Sequence, residues 1–146
     1  MRPDESTKHF DHDVRDVAFE LLDEATEDSV GLWEAPSTVR KLFPDRDPEQ
    51  QHAIARQAVR DLLDEQLITF YWRSDAAPSE DIGREEAARQ LEQPSWWQLP
   101  QSSDASKNWY EIDWLWFRAT EKGQQERDRQ ARLRFAPGGP DPAKSP

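Results

Sequence analysis

Three side chains spaced four residues apart, His52, Arg56 and Arg60, are the clearest chemical signal in this 146-residue chain. At that spacing they share one face of an α-helix, each a turn above the last. Such a row can bond guanine edges and phosphates of a nucleic acid, or it can stay solvated beside neighbouring carboxylates. Glu49, Asp61 and Asp64 lie on the same segment. Exposed pairs of that kind are common and weak, so the helix taken alone fits the solvated reading better.

Other chemistry finds less support. His9, Asp11, His12 and Asp13 are metal-ligand types at close spacing. They fall where a first helix begins, however, and aspartates there are favoured by the helix dipole. Glu85 with Glu86, or Glu111 with Asp113, could pair as acid and base, but nothing around them builds a pocket that would separate their proton affinities. The chain has no cysteine, which removes thiolate nucleophiles, thiolate metal sites and disulfides. There is no nucleophile elbow, phosphate loop or dinucleotide fingerprint. Neither catalysis nor a cofactor nor a metal is expected.

The elements that must position the cationic row set the scale. One domain fits the length. Hydrophobic and charged residues make up 35% and 34% of the chain, yet seven Trp, six Phe and two Tyr argue for a folded middle, because disordered chains lack aromatics. The formal net charge of −11 opposes non-specific attachment to nucleic acid or anionic membrane. Its distribution is uneven: residues 1–35 carry 3 basic and 11 acidic groups, 40–60 carry 5 and 3, 61–121 carry 5 and 13, and 122–134 carry 5 and 2. The positive zones are thus the helix bearing the row and the tail. With no secretory signal and no apolar run near the roughly 20 residues a bilayer needs, a cytoplasmic location and no membrane contact are expected.

Along the chain, residues 1–9 read as a flexible leader, 10–134 as the domain and 135–146 as a disordered tail. Phe10, Val14, Val17, Ala18, Leu21, Leu22 and Ala25 predict a first helix whose other face is acidic. Gly31, Trp33 and Pro36 mark a connection that Trp33 anchors. Ser37 or Thr38 then caps a short helix that turns Val39, Leu42 and Phe43 inward and stops at Pro44. The helix bearing the row starts at an Asp47 cap, with Pro48 in its first turn and Gln50 reaching back. Its apolar stripe is Ile54, Ala55, Ala58, Val59, Leu62 and Leu63. Leu67 to Arg73 and Asn108 to Ala119 alternate as two strands of an antiparallel hairpin. Between them lies an insertion, residues 74–107, in which Ala76, Ala77 and Pro78 break the strand. Ser79 caps a helix that buries Ala87, Ala88 and Leu91, and Trp96 and Trp97 tie it down. Thr120 caps a last, largely polar helix.

This order, with RDLLDEQLITFYW running from helix into hairpin and FRATEKGQQE at the hairpin's exit, resembles the winged helix-turn-helix proteins of bacterial transcription regulation. The resemblance spans Asp11 to about Arg129. It implies an α+β fold: a three-helix core and a two-stranded antiparallel wing, here with a long helix-containing insertion and a C-terminal helix. It further implies a double-stranded DNA partner, with Gln51, His52, Ala55, Arg56 and Arg60 near the major groove. Ser37, Thr38, Arg40 and Lys41 would touch backbone phosphates, and a homodimer would strengthen a weak single contact. The insertion departs from the short, often basic wing tip of that family, carrying Asp75, Glu80, Asp81, Glu85, Glu86 and Glu92. The alternative is therefore an acidic interaction module, an immunity or accessory protein, which binds a basic protein partner through a wing surface built from Trp96, Trp97, Trp109, Trp114 and Trp116.

Overall fold

The computed structural model describes residues 3–74, 77–98 and 114–135. In chain order they form α1 (Pro3–Glu27), β1 (Val30–Gly31), α2 (Glu34–Leu42), α3 (Pro48–Asp64), β2 (Ile68–Ser74), β3 (Ala77–Asp81), α4 (Arg84–Leu91), a 3-10 turn (Pro94–Trp97), β4 (Trp114–Ala119) and α5 (Glu121–Phe135). The class is α+β. The strands make one small antiparallel sheet in the order β1-β4-β2-β3.

α3 begins as its sequence requires. The Asp47 carboxylate accepts from the Gln50 backbone N–H at 2.8 Å, and the Gln50 side chain accepts from the Asp47 N–H at 3.2 Å. Two donors that a helix start leaves unpaired are thereby satisfied. The stripe from Ile54 to Leu63 is buried against Val14, Val17, Leu21 and Leu22 of α1 and Val39 of α2. The inner face of the sheet closes this core with Ile68, Phe70, Leu115 and Phe117. Phe70 and Phe117 are paired across the β2–β4 ladder with ring centroids 5.5 Å apart. Burying each such side chain is worth about 1.5–3 kcal/mol.

Several elements differ from the sequence reading. α1 starts at Pro3, inside the stretch read as a leader. α2 starts at Glu34, so neither Ser37 nor Thr38 is its cap and Pro36 lies within the first turn. There the missing proline N–H costs nothing, because the first four N–H groups of a helix have no internal partner. Leu42, expected to face inward, is 39% exposed. The chain after β2 does not break but returns as β3, whose Pro78 is tolerated because β3 is an edge strand. Gly83, not Ser79, precedes α4. The expected two-stranded wing is therefore extended by β3 on one side and β1 on the other. Residues 99–113, including the first part of the expected second strand, and 136–146, most of the expected tail, lie outside the described residues.

The exit from β4 is built against the end of α3. Thr120 Oγ1 donates to the Gln66 carbonyl at 2.8 Å and accepts from the Gly123 N–H at 3.0 Å, while Lys122 Nζ donates to the Glu65 carbonyl at 2.9 Å. The Thr120 N–H reaches the Leu67 carbonyl at 2.9 Å. Gly123 lies so close that a Cβ there would stand 2.0 Å from the Leu67 carbonyl oxygen. Gly123→Ala should accordingly destabilise the domain by about 2 kcal/mol or more, and Thr120→Val by about 1–2 kcal/mol. The exposed neighbour change Gln124→Ala should stay within about 0.5 kcal/mol. Urea unfolding followed by tryptophan fluorescence measures all three, and an unaffected Gly123→Ala midpoint would contradict this packing.

Candidate nucleic-acid interface

α2 and α3, joined through the turn at Phe43–Asp47, present the cationic residues. Arg40 and Lys41 are exposed on the last turn of α2, where Arg40 Nη2 donates to Ser37 Oγ at 2.9 Å. Arg56 is exposed on α3 and, among the described residues, has no carboxylate partner. Arg60 Nε stands 3.8 Å from the Asp64 carboxylate with both side chains about half exposed, a contact of little strength. All four side chains are exposed.

The remaining candidates are placed differently. Thr38 is 6% exposed, its hydroxyl donating toward the Glu24 carboxylate at 3.3 Å. Gln51 is 9% exposed, and its amide donates to the Phe43 carbonyl at 3.1 Å, fastening α3 to the preceding turn. Ala55 is fully buried. None of the three is available to a groove as the sequence reading expected. The early start of α2 is the cause for Thr38, which lands one turn inside the helix on its buried face.

His52 is held by the insertion. α4 packs on α3, and Trp97, buried beside it, meets the His52 ring edge-to-face with centroids 5.8 Å apart. Trp97 Nε1 donates to the Leu91 carbonyl at 2.8 Å, fixing the indole beneath α4. Burial, and secondarily the Arg56 charge, lower the His52 pKa below its ordinary 6.5. Sequence reasoning missed this contact. Its signal was Pro94-Ser-Trp-Trp directly after a helix too polar to dock on its own.

Of the tryptophans expected to form an exposed patch, Trp97 is buried, while Trp96, Trp114 and Trp116 are half-buried among other rings. Trp72, Trp96 and Trp114 stack edge-to-face, with centroids 5.0 and 4.8 Å apart, and Trp114 Nε1 donates to the Trp96 carbonyl at 3.3 Å. Trp116 meets Trp33 edge-on at 4.8 Å, with the Arg73 guanidinium 4.9 Å above its ring. Folding the insertion back over the strand ends turns most of these indoles into mortar between insertion and sheet. Trp109 lies outside the described residues.

Charge is also redistributed by folding. Asp13, 5% exposed, pairs with Arg46 at 3.0 Å. Asp16 pairs with Arg134 at 3.7 Å and Asp23 with Arg127 at 3.3 Å. Two of the basic residues of α5 thus face carboxylates of α1, and the acidic cluster at residues 9–13 does not converge: Asp13 turns to Arg46 and His12 to Asp16. Of the paired carboxylates considered as acid and base, Glu86 is held by Arg89 and Gln90. Glu111 and Asp113 lie outside the described residues. Comparison with known protein families, curated proteins and solved structures gave no match.

Because the folded pKa of His52 is depressed, the unfolded chain takes up a proton first as pH falls below 6.5. The stability that its neutral ring contributes is therefore present above 6.5 and declines below it, until the folded state also protonates. Unfolding midpoints measured between about pH 7.5 and 5 should fall more steeply for the native chain than for His52→Phe. Equal slopes would show that the ring is not held neutral by Trp97.

Proposed function

We propose that the protein is a winged-helix module that binds double-stranded DNA through α2 and α3, as bacterial transcription regulators do. The order of α1, α2, a tight turn, α3 and an antiparallel hairpin is compatible with that fold. The observation that carries the reading is where the uncommitted cations lie. Among the described residues Arg40, Lys41 and Arg56 stand without a carboxylate within ion-pair distance, as do Arg15, Arg84 and Arg132 elsewhere, and Arg60 is only loosely held; α2 and α3 thus carry the largest group of such cations. A helix fits the major groove, and arginines on its exposed face bond guanine edges or phosphates. Arg56 and Arg60 are the readout residues in this proposal, with Arg40 and Lys41 on backbone phosphates. Ser37 serves through Arg40, which it orients. Thr38 and Gln51 bond α1 and the turn before α3, and His52 is half-covered by Trp97. A footprint of so few cations is small, and a homodimer on adjacent half-sites would double it.

One observation favours a second reading. α4 and Trp97 occupy the flank of α3 at His52, and Asp45, Asp47, Glu49, Asp61 and Asp64 surround the cations. An acidic module built on this scaffold would bind a protein with a basic surface and leave DNA alone.

The two readings separate in one experiment. Arg56→Glu with Arg60→Glu should abolish duplex binding, a loss of at least about 100-fold, while leaving the unfolding midpoint within about 0.5 kcal/mol, since both residues are exposed. Unchanged DNA binding would remove α3 as the reading helix. A flat titration for the native chain, with a basic protein recovered by affinity capture, would support the second reading.

A further inference from the structure

A cavity of about 390 Å³ opens between α1, the end of α3 and α5, on a different side of α3 from the Trp97 contact. That volume lies within the range of small-molecule sites. Its floor is apolar, formed by Val14, Phe19, Leu22, Leu62 and Leu67, all buried in the fold.

The rim is polar and graded. α1 and α5 run antiparallel, since Asp16 pairs with Arg134 and Asp23 with Arg127. Arg15 and Arg134 therefore mark one end. Leu22 and Glu65 mark the other, where Lys122 reaches the Glu65 carbonyl and Leu22 approaches Gly123. Most of the charged groups are already committed. Arg134 pairs with Asp16 and lies over the Phe19 ring at 4.2 Å. Glu126 is bound by Arg129 and Gln130 and held down to about 2. Asp61 accepts from Gln57 at 2.7 Å. The Arg15 guanidinium and the Glu65 carboxylate are left, among the described residues, with neither a hydrogen bond nor an ion pair.

We propose that this cavity binds a small zwitterion with an apolar body, a short peptide with free termini, whose carboxylate pairs with Arg15 and whose ammonium group pairs with Glu65. A slot with an apolar floor, a polar rim and one spare charge of each sign at opposite ends is complementary to that class. The length agrees. Arg15 and Leu22 are seven residues apart on α1, about 10 Å at 1.5 Å per residue. Three extended residues span about the same distance. This site is independent of DNA binding, because none of its residues belongs to the proposed interface.

The test is an NMR titration of the full chain with Ala-Leu-Ala carrying free termini, and in parallel with the acetylated and amidated form. Saturable shifts confined to the amides around residues 15–22 and 126–134, with a dissociation constant below about 1 mM, are expected. The blocked peptide should bind at least about tenfold more weakly, as should Arg15→Gln and Glu65→Gln with the free peptide. Both side chains are exposed, so the variants should keep the native unfolding midpoint. No saturation by about 10 mM, equal binding of the blocked peptide, or unchanged affinity in both variants would each overturn the proposal.

Discussion

The whole arrangement hangs on one junction, the hydrogen-bonded seam between the end of α3 and the start of α5. The carbonyls of Glu65, Gln66 and Leu67 have no helical partner left, and Gln66 takes a positive φ of 63° to end the helix. Lys122, the Thr120 hydroxyl and the Thr120 N–H satisfy those carbonyls in turn. Because Thr120 directly follows β4, the seam fixes at once the direction of α3, the register of β4 beside β2 and the launch of α5. Leu67 is buried, and a carbonyl left unpaired there would cost about 1–3 kcal/mol, whereas the bonds to the Glu65 and Gln66 carbonyls are exposed and contribute about 0.5–1.5 kcal/mol each.

Electrostatics follow from that geometry. α5 is polar nearly all round and could not dock by apolar burial. The seam delivers it to the acidic face of α1, where Arg127 and Arg134 meet Asp23 and Asp16. A chain of net charge −11 thus places several of its charges in internal pairs, and among its spare cations Arg40, Lys41 and Arg56 stand on α2 and α3. The same docking leaves the apolar-floored cavity between α1, α3 and α5. The wing side is assembled by different means. There indole rings, not charges, hold α4 and the 3-10 turn against β2 and α3.

How much of this was legible depended on how local each cause was. The Asp47, Pro48 and Gln50 start of α3 is written in adjacent residues, and the β2–β4 pairing in a period of two across aromatic positions. Thr120 and Gly123 were readable as the exit from a hairpin. Their bonds to residues 65–67 were not, because the partners are more than 50 positions away in sequence. Pro36 and Pro78 misled for opposite reasons. The first sits where a helix has no N–H to lose and the second on an edge strand, so the breakers broke nothing. Shifting the start of α2 turned Thr38 from a phosphate contact into a buried one. The partial cover of His52 depends on Trp97, brought to it by an insertion whose path no periodicity encodes.

Whether a few cations on α2 and α3 read DNA from an acidic protein is decided by fluorescence anisotropy of the intact chain against a pool of labelled duplex from its own genome, repeated over a salt series. Saturable binding near 150 mM salt is predicted, with the logarithm of the affinity falling against the logarithm of salt at a slope of about −3, as for three or four neutralised phosphates. No binding even near 50 mM salt would contradict the claim and leave α2 and α3 as a scaffold for protein recognition.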